Sequence, residues 1–339
     1  MKLRSILMTL VQFTIGIGLE YWLISSTLKH SHARLGDIFA TALVMPLLLA
    51  VLLFGTVILL TTWRWNLLLR VQGICLPFLQ VLRLSCIGQF FNIALPGAVS
   101  GDFVKMAYIA KAVPERTAEA ILTIMIDRIL GMLGMFFMAS LFVLLYLSFL
   151  SGLGPDQRAV QIAAFVVGAG SIAGIFGVLA VEFRKQLLAL PLIRTLVPAI
   201  AKRLPQKLND IFGRLADALE LYRQHRGAIV TGFAISLVVH SCLALIFVCG
   251  GIALGEAHVP AGGYFLSSQV AHAVAAIPLT PGGLGARDGV ICLFLKAQGC
   301  KVELAGMIPV IYSLILLFWS VVGGLVFTFS PHGKKTDTK

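Results

Sequence analysis

Two stretches of this chain place charge where the surroundings are apolar, and they match. One reads Asn92-Ile93-Ala94-Leu95-Pro96-Gly97-Ala98-Val99-Ser100-Gly101-Asp102, with Lys105 one turn on. The other reads Ile277-Pro278-Leu279-Thr280-Pro281-Gly282-Gly283-Leu284-Gly285-Ala286-Arg287-Asp288-Gly289. Pro96 lacks a backbone donor and Gly97 relaxes the chain, so a helix ends there. Ser100 or Asp102 then suits the N-cap of a new half-helix. The free N–H groups of such an end carry about half a positive charge and hold anions. Lys105 adds a full charge. In the second stretch Pro281-Gly282-Gly283 is the breaker, Gly285 the turn, and Arg287 and Asp288 fall in the first turn. Asp102 and Asp288 can also serve as plain caps, which makes the ends structural. A cation beside each Asp favours an anion site, because burying an ionised residue costs about 2.5–3.5 kcal/mol.

Asp127-Arg128 is a third charged element. Adjacent helical residues point about 100° apart, so each needs another partner. Arg128 can reach a hairpin Asp or a lipid phosphate, and Asp127 can reach Lys105 or Arg287. If their helix begins in the cytoplasm, the pair instead sits near the interface, where Arg snorkels. His240 and His272 are read as hydrogen-bonded core residues. His30 and His32, two apart in a loop, are a weak metal signal. Glu20 and Glu182 are read as boundary residues, and Trp22, Trp63, Trp65 and Trp319 as interfacial. No catalytic, metal or cofactor motif stands out.

The elements that position these residues follow from composition. Of 339 residues, 58% are hydrophobic and 12% charged, about half the charge of a soluble domain. Long runs without Asp, Glu, Lys or Arg cover, among others, 38–63, 129–155, 159–181, 227–255 and 304–333. The runs are continuous, which excludes an alternating β-barrel. The expected fold is an all-α polytopic membrane protein, with a single transmembrane unit over 1–330. Six full spans are expected near 5–24, 38–62, 128–149, 159–181, 228–254 and 304–328. The first is read as an uncleaved span despite its signal-like start. Two broken segments, 80–113 and 263–299, have arms of about 16 and 12 residues. An arm of about 12 residues reaches about 18 Å, short of a core about 30 Å thick, so both read as re-entrant helical hairpins.

Lys and Arg set the orientation. Of the 27 in the chain, the positive-inside rule places about 20 on inner segments and about six outside, with Arg128 at a span end. Both termini then face the cytoplasm. The hairpins enter from opposite faces, as in an inverted repeat. Residues 198–225 read as an amphipathic helix with a basic face, lying on the inner membrane surface or on the protein's own loops. The tail 331–339 is polar. The six cysteines read as small core residues, and Gly170 and Gly174 form a GxxxG packing pair.

At these motifs the chain resembles the flippase-like transmembrane domain of the lysylphosphatidylglycerol synthase/flippase (multiple peptide resistance factor) superfamily. The likeness runs over roughly 5–328. It rests on Phe91-Asn92 through Leu95-Pro96-Gly97 to Gly101-Asp102, on Asp127-Arg128, and on Pro278 through Pro281-Gly282-Gly283-Leu284-Gly285 to Gly289. It implies lipid translocation. Two-domain members add a cytoplasmic aminoacyl-transfer domain, and lysyl transfer is not expected of this chain, which reads as a stand-alone member. Three positions depart from the family pattern: Lys105 where Arg is usual, Ser100 for Gly, and Asp288 for Glu.

The expected function is therefore a lipid transporter, flippase or scramblase, not an enzyme. It would move a phospholipid or polyprenyl-phosphate-linked lipid across the cytoplasmic (inner) membrane, with no cofactor and no nucleic acid. Asn92, Asp102, Lys105, Asp127, Arg128, Arg287 and Asp288 are the candidate binding residues. Pro96, Gly97, Gly101, Pro278, Pro281, Gly282, Gly283 and Gly285 are the candidate breakers. Two alternatives stand beside it. One is a non-transporting partner of a glycosyltransferase or lipid synthase that docks through the basic helix. The other is an intramembrane lipid-modifying enzyme with Asp102 and Asp127 on a metal.

Overall fold

A computed structural model of the chain describes residues 3–31, 40–95, 100–182, 222, 225–276 and 280–330. Pro96, Gly97, Pro278, nearly all of the basic helix 198–225, His32 and the tail 331–339 lie outside the described residues. Regular structure among the described residues is helical throughout. The long helices are α1 (Leu3–Ser31), α2 (Val44–Val71), α5 (Thr117–Leu145), α6 (Arg158–Glu182), α7 (Arg226–Ala253) and α10 (Val302–Thr328). They fall on the six expected spans. Among them α2, α5, α6, α7 and α10 are long and apolar enough to cross a membrane. Between them, besides the single helical turn Leu147–Ser151, lie four shorter helices: α3 (Phe78–Ala94), α4 (Ser100–Ala112), α8 (Ala261–Ala275) and α9 (Ala286–Ala297).

The four short helices form two fold-back pairs. In the first, Asn92 of α3 holds Gly101 of α4, Gly88 faces Lys105, and Val81 and Leu84 share a core with Ile109. The chain thus returns to the level where it started. Gly101 is required here: a Cβ at this position would come within 2.0 Å of the Gly88 carbonyl oxygen. In the second pair the tip is a 3-10 turn, Pro281–Gly283. Gly282, Gly283 and Gly285 take φ of 60°, 75° and 74°, where a side chain is strained. Leu266 and Val270 of α8 pack on Phe294 of α9. At the base, Gln298 Nε2 donates to the Gly263 carbonyl at 3.3 Å and to Ser267 Oγ at 3.0 Å.

The pairs open at opposite ends of the bundle. The base of α3–α4 packs with Trp65 and Leu69 at the end of α2 and with Ala120 and Ile124 at the start of α5. Arg83 there donates to Ser330, just past α10, at 2.5 Å. The base of α8–α9 lies against Tyr146, just past α5, which crowds Gly262. It also follows the end of α7, where Ala253 accepts a 2.8 Å hydrogen bond from Leu43 at the start of α2. The tips meet between these ends, since a Cβ on Gly282 would touch Ile93 and Leu316 at 3.4 Å.

The main core joins α2, α7 and α10 through Phe54, Ile246, Phe247, Ile308 and Tyr312. Phe247 stacks on Tyr312 with centroids 4.7 Å apart. Burying each such side chain contributes about 1.5–3 kcal/mol where water is the alternative. Trp65 departs from the interfacial expectation: it is buried at 1% exposure, because its indole N–H finds Thr123 Oγ1 at 2.9 Å. Trp319 likewise donates to the Val51 carbonyl at 3.1 Å. Of the GxxxG pair only Gly174 packs closely, against Phe136, while Gly170 has nothing near it. Cys242, Cys249, Cys292 and Cys300 are buried, whereas Cys75 is exposed.

Candidate functional site

The breaks in the two hairpins create the site. At the start of α4, orphan backbone donors need partners. Asn92 meets that need from across the hairpin, its Oδ1 accepting from the Gly101 N–H at 2.9 Å. Ser100, expected as a cap, instead donates back to the Phe91 carbonyl at 2.9 Å. Asp102 is thereby released for side-chain partners. Its carboxylate accepts from the Arg128 guanidinium and lies 3.8 Å from Lys105 Nζ. Lys105 also sits over the Trp65 ring, 5.2 Å from its centroid, a cation–π contact.

Asp127 turns the other way. It takes a two-pronged pair from Arg64 of α2, Nε at 2.7 Å and Nη2 at 3.0 Å. Arg64 Nη1 donates to Ser236 Oγ of α7 at 2.6 Å. Asp127 and Arg128 thus find separate partners, as their angular separation requires. Arg128 reaches a hairpin Asp. The expected Asp127 partners, Lys105 and Arg287, are replaced by Arg64. Sequence reasoning misses Arg64 because it groups with the cytoplasmic charges, but α2 runs on to Val71 and leaves it two turns inside the helix.

Arg287 and Asp288 form a second, separate group. Arg287 Nε donates to Asp288 Oδ1 at 2.8 Å, Nη2 to Ser313 Oγ at 2.5 Å, and Nη1 to the Gly282 carbonyl at 3.2 Å. Ser313 Oγ donates to Asp288 Oδ2, also at 2.5 Å. The guanidinium lies 4.2 Å from the Tyr312 ring centroid. These neighbours in sequence do pair, because the long Arg stem curls back over the helix start. Asp288 also receives the Gly285 N–H at 3.4 Å, as a cap. Arg287 is 2% and Asp288 0% exposed. Glu20 of α1 faces this group through Asp288 and Arg287. It is an inward residue of a 29-residue helix, not the span boundary expected.

A cavity of about 390 Å³ opens where the tips meet. Arg64, Asn92, Lys105, Asp127, Arg128, His240, His272, Thr280, Gly282 and Gly283 are among its lining residues. Asp102 stands just behind the wall, holding Arg128. Arg287, Asp288 and Gly285 do not line it, and brace the second tip instead. The Arg128 side chain is 42% exposed, against 17% for Lys105 and 6% for both Arg64 and Asp102. The volume is in the range of small-ligand sites. Both histidines are hydrogen-bonded as expected, His240 Nε2 with the Gly131 carbonyl at 3.2 Å and His272 with Ser268 and Tyr312, but they also form cavity wall. Among the described residues no group of three or more His, Cys, Asp or Glu is placed to hold a metal.

Comparison with known proteins points to a membrane-protein family. The chain is 26% identical over 297 residues to a UPF0104 membrane protein of Pyrococcus horikoshii, covering 83% of this chain and 85% of that one. The family model described as the lysylphosphatidylglycerol synthase TM region matches residues 9–324. A match over nearly the whole chain assigns the protein to that family of multi-pass membrane proteins.

Proposed function

We propose that the protein moves an anionic, phosphate-bearing lipid across the cytoplasmic membrane, with the headgroup passing through the cavity at the hairpin tips. The observation that carries this reading is Arg128: an arginine within a long apolar helix, oriented by Asp102, with a side chain that is 42% exposed and lines the cavity. Intramembrane charge is rare and marks substrate pathways, and paired broken helices mark the binding region of transporters. In this reading α3–α4 and α8–α9 are re-entrant, each dipping in from its own face to mid-membrane. The acyl or prenyl chains stay in the bilayer between helices while the headgroup crosses. Both termini face the cytoplasm, and the whole of 1–330 works as one transmembrane unit. Movement is passive or driven by an ion or proton gradient, with the chain acting as a carrier and not as an enzyme.

Liposomes containing the purified protein and a fluorescent phospholipid or polyprenyl phosphate test this. Dithionite added outside bleaches outer-leaflet label, so transport shows as bleaching beyond half. Bleaching that stops where protein-free vesicles stop, for every anionic lipid tried, would refute the reading.

A further inference from the structure

Glu20, Asp288 and Arg287 meet away from the cavity, two carboxyls around one guanidinium. Hydrogen-bond donors divide unevenly between the carboxyls. Asp288 has four: Arg287 Nε and Nη2 lie 2.8 and 2.7 Å from Oδ1, and Ser313 Oγ and the Gly285 N–H lie 2.5 and 3.4 Å from Oδ2. Glu20 has none, since both its oxygens are buried and neither meets a donor. Among the described residues, the groups that face it are Asp288 and Arg287 of α9 and the Ser313 hydroxyl of α10. The one Ser313 hydrogen is spent on Asp288. Tyr312 and His272 stand beyond Arg287, the Tyr312 ring under the guanidinium at 4.2 Å and His272 Nε2 3.3 Å from the Tyr312 hydroxyl. Tyr21, next to Glu20 on α1, is 73% exposed and turned away. An ionised Glu20 here is a second anion beside Asp288 with no donor of its own, and two close carboxylates do not both ionise. A proton on Glu20 removes both costs: Glu20 becomes a donor, and Asp288 is the acceptor before it.

We propose that Glu20 is a proton-binding site that couples lipid movement to a proton, holding one proton against Asp288 and releasing it when α1 parts from the second hairpin tip. The coupling rests on the transport reading above; the proton site does not. The contact that the proton governs is close. A Cβ on Gly285 would lie 2.4 Å from Leu19 Cβ and 3.3 Å from the Glu20 backbone nitrogen, so α1 sits directly on the tip. The same tip lends Gly282 and Gly283 to the cavity wall. Once the proton leaves, two anions share one cation across this contact, and their repulsion loosens α1 from the tip. The cavity thus senses a proton at a residue that does not line it, as carboxyl relays do in transporters. A metal cation fits less well. Hard cations take about six oxygens, and the other side-chain oxygens of this group already accept hydrogen bonds.

Infrared difference spectra of the full chain in detergent test the proton site without lipid. At neutral pH, the unmodified chain minus Glu20→Gln is expected to show a protonated-carboxyl band that shifts in heavy water. Glu20→Asp, which keeps a carboxyl, moves the band and serves if the amide variant does not fold. Absence of the band overturns the site. A band removed by sodium chloride but not by choline chloride shows a metal-ion site and overturns the proton assignment. Liposomes with fluorescent phosphatidylglycerol, their membrane potential clamped by potassium and valinomycin, test the coupling. A gradient of about one pH unit, about tenfold in proton activity, should drive the label from an even spread toward about ten to one between leaflets. Glu20→Gln, which mimics the protonated state, should show no such shift. An even spread with the unmodified chain, or an equal shift with Glu20→Gln, overturns the coupling. A band with no lipid movement keeps the proton site and overturns the transport reading, and movement with no band does the reverse.

Discussion

Arg64 and Asp127 form a two-pronged ion pair across α2 and α5, with Nε and Nη2 at 2.7 and 3.0 Å from the two carboxylate oxygens. The third guanidinium nitrogen reaches Ser236 on α7. One side chain thus ties three long helices together in the cavity wall. Because Asp127 is occupied, Arg128 is left to Asp102 of the first hairpin, and two consecutive residues of α5 play different parts. Asp127 fixes the frame, and Arg128 presents charge to the cavity.

The frame claim has a measurable consequence. Arg64→Ala leaves Asp127 buried without its cation, a change that costs about 3–5 kcal/mol. Asp127→Ala is equally damaging, because Arg64 then stays buried. The double variant should lose clearly less than the sum of the two, since no lone charge remains. Melting of the three variants in detergent gives the cycle. Additive losses would show that the pair does not act as a unit.

Gly101→Ala should weaken the first hairpin. The added methyl would overlap the Gly88 carbonyl, and overpacking of this kind costs about 1–3 kcal/mol. Gly289→Ala is the matched control, since nothing lies within 4 Å of a Cβ there. Asn92→Leu removes the Gly101 N–H acceptor and should cost about 1 kcal/mol, the usual worth of a helix cap. Thermal melts rank the three, and the order Gly101, Asn92, Gly289 from worst to mildest is expected.

The amino-acid pattern reveals the elements better than the pairings. Continuous apolar runs locate the six long helices, because helices bury their own backbone groups in oil. Pro and Gly locate both breaks, and arm length implies the fold-back. Partner choice stays hidden because it depends on rotation about helix axes and on contacts 63 residues apart, as between Arg64 and Asp127. Arg64 looks like a cytoplasmic charge only because α2 outruns the minimum span length. Glu20 looks like an end for the same reason. Arg287 and Asp288 resemble Asp102 and Lys105 in pattern but differ in role. Ser313 and Tyr312 of α10 enclose them, and nothing local announces that.

Arg128→Ala should slow headgroup movement sharply and cost less stability than Arg64→Ala, because its side chain is 42% exposed and Asp102 keeps Lys105 at 3.8 Å. A charge-assisted hydrogen bond to phosphate is worth about 1.5–3 kcal/mol, so transport should fall about tenfold to a hundredfold. Arg128→Lys should retain part of the rate, because it keeps the charge and loses the planar fork. Dithionite assays with a melting curve for each variant check this. A full rate for Arg128→Ala would remove the cavity cation from the transport path.

The second charged group should behave in the opposite way. Arg287 and Asp288 are sealed from the cavity and tied to Ser313, so their loss should appear first as instability. Arg287→Ala leaves Asp288 and the nearby Glu20 without the cation they share, and a cost of about 3–5 kcal/mol is expected. Ser313→Ala removes one donor to Asp288 and one acceptor from Arg287; at about 1–3 kcal/mol for buried groups left unsatisfied, it should be milder. Because this group braces the tip bearing Gly282 and does not touch the headgroup, any Ser313→Ala protein that folds should keep its lipid affinity. Binding measured by native mass spectrometry on that variant decides the point: unchanged affinity with a lowered melting temperature fits a brace, and weakened binding at normal stability would make Arg287 and Asp288 part of the lipid site.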